Sequence, residues 1–207
     1  LADEDKKKVY QYYMNPSKVA MAGKIQPNGS YLKGIEDFIP SSQYNCDKHH
    51  LKVVEDIKEN WVTLSLNSKF HALLATESIP EAIAYYRLLR KEMPTLKVTA
   101  LFDPNIDNTG GQTFKEEGLI EVLEGYKEQF GKTYTMSTHA AFKQDVALRL
   151  AHKKPYNGKD FTKDKQIDLL IVVNQMLTGF DSKWINTLYV DKVMEYENII
   201  QAFSRTN

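Results

Sequence analysis

Residues 71–81 read His71-Ala72-Leu73-Leu74-Ala75-Thr76-Glu77-Ser78-Ile79-Pro80-Glu81. The first six form an apolar run of strand length. Ser78 followed three residues later by Glu81 is a capping box, and Pro80 sits where the first helical turn tolerates it. The stretch therefore announces a strand, a tight turn and a helix. That helix keeps one apolar face through Ile79, Ala82, Ile83, Tyr86, Leu89 and Met93, and Pro94 marks its stop because proline cannot continue the backbone ladder. A second strand is expected over Lys97 to Phe102.

Working outward, the same alternation recurs. Upstream, Leu51, Val54, Ile57 and Trp61 repeat at helical spacing between Lys48 and Trp61. Downstream, residues 103–111 are loop by composition. Phe114, Ile120, Leu123, Tyr126 and Phe130 then outline an acidic amphipathic helix that Gly131 ends. Ile167 to Val173 is an almost unbroken apolar run, as expected of a parallel strand covered on both faces. Thr187 to Lys192 reads as another strand and residues 195–207 as a helix. The expected fold class is α/β, an open, mostly parallel sheet with helices on both faces and right-handed crossovers. Function in such sheets collects past the carboxyl ends of strands, which singles out Thr76-Glu77-Ser78, residues 174–182 and the turn into the last helix.

Composition agrees with a packed core. The chain has 207 residues, 42% of them hydrophobic and 26% charged, with 10 Gly and 7 Pro, which excludes collagen-like, disordered and disulfide-framework classes. Lysine plus arginine (27) balance aspartate plus glutamate (27), so no global charge marks a nucleic-acid or membrane binder. The lone Cys46 closes no intrachain disulfide, and the start of the chain carries no signal-peptide pattern, so a cytoplasmic setting is expected. Residues 169–173 are far too few to span a bilayer. A first residue other than Met and a last residue inside a helical pattern lead us to expect a piece of a larger protein. Residues 1–47, irregular and turn-rich, read as a connector with one or two short helices. Its Tyr10, Tyr12 and Tyr13 pack a short helix or offer a stacking platform for bases.

Three local signals invite chemistry. Gly131-Lys132-Thr133 has the tail of a phosphate-binding loop, but its leading glycine would have to stand at position 126, which is Tyr126, and no strand precedes it. Gly131 is therefore read as a helix stop. Cys46, His49 and His50 carry metal-ligating atoms but lack the spaced ligand pairs of a zinc site. From Asp103 to Phe130 there are seven acids and two bases, and from Lys132 to Gln166 eight bases and three acids. The basic run is either a solvated face or a strip facing phosphates, built from Arg149, Lys153, Lys154, Lys159, Lys163 and Lys165.

The most informative pair is Val173-Asn-Gln-Met-Leu-Thr-Gly-Phe-Asp181 and Gln201-Ala-Phe-Ser-Arg-Thr-Asn207. In the first, a buried strand ends in a loop where Gly179 lets backbone approach a ligand and Asp181 accepts bonds from hydroxyls such as a ribose. In the second, Gln201 and Arg205 share a helix face at i and i+4. Taken with Lys69 to Ala82 and Leu188-Tyr-Val-Asp-Lys192, these stretches resemble motifs IV, V and VI of the second RecA-like motor domain of superfamily 2 helicases. The resemblance covers residues 48–207 and is strongest to the R subunit of type I restriction-modification enzymes.

The resemblance implies a reading of each residue. Gly179 and Asp181 would bind nucleotide, with Asp181 near the ribose, and Thr178 would couple nucleotide state to DNA. Ser78, at a helix start where main-chain N–H groups also point, would meet a DNA phosphate. Gln201 and Arg205 would be the catalytic pair, Arg205 meeting the γ-phosphate as arginine fingers do. ATP and Mg²⁺ would serve the intact subunit, none being held by this stretch alone. Partners would be double-stranded DNA, the first RecA-like domain and nuclease domain of the same subunit, and the methylation and specificity subunits. Motif VI has a second arginine three residues after the first, and the sequence stops one residue short of it. The phosphate loop and acidic Mg²⁺ motif of a first motor domain are missing from it, so this stretch is expected to be catalytically silent in isolation. Two alternatives stay open: the motor lobe of another superfamily 2 remodeller, and a non-enzymatic RecA-like docking module.

Overall fold

A computed structural model describes residues 23–34, 36–38, 45–105, 111–158, 162–173 and 182–191. The chain divides into two compact units, Leu1–His49 and His50–Asn207.

In the first unit, β1 (Lys24–Ile25) pairs antiparallel with β2 (Tyr31–Leu32). The turn between them uses Gly29 at φ 79°, a conformation that costs glycine nothing. Asn28 Oδ1 accepts from Ser30 N at 3.0 Å and so closes the turn locally. The sequence reading expected a connector with one or two short helices here; the described part of it holds this hairpin, which was not expected, and a short 3-10 helix at Glu36–Phe38. Only two residues per strand pair, too few to leave an alternation in the sequence.

In the second unit the main sheet has the order β4-β5-β3-β6, all parallel, with β3 at His71–Thr76, β4 at Val98–Leu101, β5 at Leu169–Val173 and β6 at Ile185–Asp191. Every residue of β3, β4 and β5 is buried. Successive side chains of a strand point to opposite faces, so both faces of these strands are covered. β6 lies at the sheet's margin beside β3 and is half-exposed along most of its length. The α/β class and the parallel sheet are as the sequence leads one to expect.

Four helices flank the sheet: α1 (Asp47–Leu64), α2 (Ile79–Glu92), α3 (Gln112–Phe130) and α4 (His139–Leu150). α1 buries Val54, Ile57 and Trp61, three of the four residues whose spacing announced it, while the fourth, Leu51, stays exposed. α2 begins and ends where Ser78 and Pro94 said it must, with Met93 as its last cap. α3 stops at Gly131, whose φ of 70° and N–H to Lys127 O bond of 2.8 Å are those of a left-handed helix cap. α4 was not anticipated. Its apolar residues Phe142, Val146 and Leu150 stand four apart, but charged residues between them hide the pattern.

Candidate functional site

Parallel register decides where the expected site residues can meet. Thr76 at the end of β3 stands opposite Val173 of β5 and Asp191 of β6. Glu77-Ser78, the segment after Val173 and the segment after Asp191 therefore all leave from one carboxyl edge of the sheet. Ser78 is on that edge. Thr178, Gly179, Asp181, Gln201 and Arg205 lie outside the described residues, as do Lys159, Tyr10, Tyr12 and Tyr13.

Ser78 is buried at the start of α2 with extended backbone, and its capping box is fully formed. Its Oγ accepts from Glu81 N at 3.4 Å, while Glu81 Oε2 accepts from Ser78 N and Glu77 N, each at 3.1 Å. The main-chain N–H groups of residues 77, 78 and 81 are thus satisfied inside the motif, and a phosphate arriving here would have to address the Ser78 hydroxyl instead. Burial pushes the Glu81 carboxyl up; the two N–H bonds pull against that shift, and the charges of Asp191 and Glu77 add to it.

Tyr85, which the sequence reading did not single out, and His50, read there only for its metal-ligating atoms, complete this edge. Tyr85, on α2 two turns after Ser78, donates its hydroxyl to Asp191 Oδ2. His50 of α1 packs edge-on against the Tyr85 ring with centroids 4.7 Å apart. The last residue of β6 is thereby tied to α2 just before the segment that carries Gln201 and Arg205. The available signal was an acid at the carboxyl end of a strand, but its tyrosine partner lies 106 residues away.

The basic strip breaks up in the structure. Arg149 does not face solvent: it is 3% exposed and donates through Nε to Asp145 at 3.2 Å and through a terminal nitrogen to Lys165 O at 2.6 Å. The rings of Tyr156 and Phe130 lie 4.2 and 4.4 Å from its guanidinium. Lys132, the lysine of the phosphate-loop look-alike, bonds Asp145 Oδ1 at 2.5 Å. Arg149 is absorbed by a buried acid because burying an arginine unpaired is too costly. Lys153, Lys154, Lys163 and Lys165 remain exposed.

At the opposite, amino edge, His71 Nε2 and His152 Nε2 stand 2.8 Å apart. Burial, reinforced by the neighbouring His152, pushes the His71 imidazole down to about 3, so it is neutral and one ring donates to the other. His152 in turn stacks on Trp184 with centroids 4.3 Å apart and planes 15° apart. Among the described residues no group of three or more His, Cys, Asp or Glu is arranged to hold a metal ion.

Comparison with known proteins yields consistent matches. A family model described as type I restriction enzyme subunit R domain 3 matches residues 68–207. The type I restriction enzyme SauMRSORF196P endonuclease subunit of Staphylococcus aureus strain MRSA252 is 35% identical over 170 residues, covering 78% of this chain and 17% of the relative. The SauCOLORF180P endonuclease subunit of strain COL is 34% identical over the same length and shares. The SsaAORF53P endonuclease subunit of Staphylococcus saprophyticus is 36% identical over 165 residues, 75% of this chain and 17% of the relative. The match thus spans about a sixth of these relatives.

Proposed function

This chain belongs to the family of domain 3 of type I restriction enzyme R subunits, and from that membership we propose that residues 48–207 act as the second motor lobe of an ATP-dependent, DNA-translocating endonuclease. Residues 1–47 would connect it to what precedes it. The observation that supports the reading is the register of β5, β3 and β6, which brings Thr76 just before Ser78, Val173 and Asp191 together at one sheet edge. An edge shared by three loops suits a cleft that closes on a nucleotide held mainly by another lobe.

In this reading Gly179 and Asp181 contact the nucleotide, Thr178 links that contact to DNA, and the Ser78 hydroxyl touches a DNA phosphate. Gln201 and Arg205 face the γ-phosphate across the cleft. Bound ATP with Mg²⁺ supplies the charge that both lobes touch, and this lobe answers with a guanidinium that stabilises negative charge developing in the transition state. Closure is a population shift, driven by contacts that exist only when nucleotide bridges both sides. Tyr85, by holding Asp191, fixes the root from which the Gln201 and Arg205 segment departs. The first motor lobe, the nuclease domain, and the methylation and specificity subunits are the proposed partners, with double-stranded DNA as substrate. The cytoplasm, where chromosomal and invading DNA meet, is the proposed setting.

Arg205→Ala in the complete subunit tests this. ATP turnover and translocation are expected to fall by roughly 10³ or more while DNA affinity stays near its original value. Unchanged turnover would remove Arg205 from the mechanism.

A further inference from the structure

The amino edge of the sheet, opposite the proposed cleft, carries a cavity of about 550 Å³. Its walls come from the segments that lead into three neighbouring strands: Ser68 and Lys69 before β3, Lys163 and Gln166 before β5, and Lys183 and Trp184 before β6. His152, Tyr156 and Asn157, past the end of α4, close the remaining side. Among the described residues the lining holds three lysines and no aspartate or glutamate.

Those lysines are exposed, and among the described residues none has a carboxylate within ion-pair distance. Lys163 Nζ donates to Asn67 O at 2.6 Å, which fixes the ammonium without neutralising it. Lys69 and Lys183 lie 5.4 and 5.5 Å from the rings of Phe70 and Trp184. Asp168 is buried beside this lining; its Oδ2 accepts from Lys97 N at 2.9 Å, and its carboxyl also takes a hydrogen bond from Ser68 and feels the charge of Lys163. The Gln166 side-chain oxygen is buried without a partner and is a vacant acceptor beside this positive charge.

The backbone around the cavity is strained. Among the described residues, the four non-glycine positions in left-handed conformation are Leu66, Asn67, Ser68 and His152, with φ between 49° and 58°, and two of them line the cavity. Such strain is retained where surrounding structure over-determines it. Here Trp61 Nε1 to Ser68 Oγ at 3.1 Å and Ser68 N to Ser65 Oγ at 2.9 Å do so.

We propose that this cavity binds one nucleotide of an unpaired nucleic-acid strand, Lys69, Lys163 and Lys183 meeting its phosphates and the partly exposed Trp184 ring lying against its base or sugar. Exposed lysines select a polyanion, and an aromatic ring beside them selects a ligand that also has a π-face. At about 550 Å³ the cavity is of a size to take one splayed nucleotide. The inference does not depend on the motor reading, because no residue of the carboxyl edge takes part in it.

Fluorescence anisotropy of labelled dT12 with the full chain, across a range of salt concentrations, tests it. The triple variant Lys69→Gln, Lys163→Gln, Lys183→Gln is expected to bind at least tenfold more weakly at low salt, and its log–log salt slope to be shallower by about 2. Trp184→Leu is expected to weaken binding roughly tenfold at unchanged slope, and Trp184→Phe to restore most of it. Lys58→Gln with Lys91→Gln, exposed on α1 and α2, is expected to change neither. Absence of dT12 binding, wild-type affinity and slope in the triple variant, a 12-base-pair duplex bound more tightly than dT12, or displacement of dT12 by dTMP at equal nucleotide concentration would each overturn the proposal.

Discussion

Asp145 is a buried carboxylate with four side-chain partners. Its carboxylate takes bonds from Lys132, Tyr126, Tyr156 and Arg149, which joins α3, α4 and the segment entering β5. Burial alone would raise its pKa; the hydrogen bonds and the Arg149 charge outweigh that and hold the carboxyl below its usual range. Asp145→Ala leaves Arg149 buried and unpaired, and is expected to cost about 3–5 kcal/mol in urea denaturation. Because the folded value is depressed, this stabilisation is intact above the ordinary carboxyl value of about 4 and is lost as pH falls through the lower folded value. Asp168 works the other way. Burial, only partly offset by the Lys97 N–H, raises it to about 6. Its favourable protonated state is present below about pH 4, and the corresponding stability is lost as pH rises through about 6. Asp168→Asn is expected to abolish a decline of about 2–3 kcal/mol over that window, read as the melting temperature against pH.

Two glycines interrupt α3 in a sequence that otherwise favours helix. A Cβ at Gly118 would stand 2.1 Å from Ile83 Cδ1, and one at Gly125 would stand 1.8 Å from Tyr86 Oη, so both let α3 lie close on α2. Ile83 and Tyr86 are themselves buried and have little room to yield. Gly118→Ala is therefore expected to destabilise by about 1–3 kcal/mol even though alanine gains up to about 1 kcal/mol of helix propensity, as chemical denaturation would show. At the other end of the same contact, Ser78→Ala is expected to cost about 1 kcal/mol through loss of the cap. α2 was legible because its signals are local: Ser78, Glu81 and Pro94 act on backbone within one turn. α4 was not, because Asp145 and Arg149 look like surface residues until the aromatic rings of α3 and of Tyr156 are seen to enclose them.

Across the whole chain, protection follows coverage. β3 and β5 are paired on both sides and buried on both faces, whereas the β1–β2 pair has two residues per strand with Ile25, Tyr31 and Leu32 more than half exposed. Hydrogen exchange is expected to be slowest at residues 72–75 and 170–172, slower than in β6 and by far slower than in the hairpin. Equal exchange in β6 and β3 would contradict the strand order. Among the described residues no helix is long and apolar enough to cross a membrane.

The positions of β3 to β6 and of α1 to α3, the alternation that makes the sheet parallel and the family motifs were written in short windows of residues, because backbone propensity, capping and hydrophobic period act over a few positions; α4 and the hairpin were not. Partnerships across tens of residues were not. Which basic residues stay at the surface, that Tyr85 meets Asp191, and that Lys69, Lys163 and Lys183 share one cavity are set by which strands become neighbours. A carboxylate or ring recruited from 13 to more than 100 positions away leaves no periodic trace in the chain; only packing brings it within hydrogen-bonding reach.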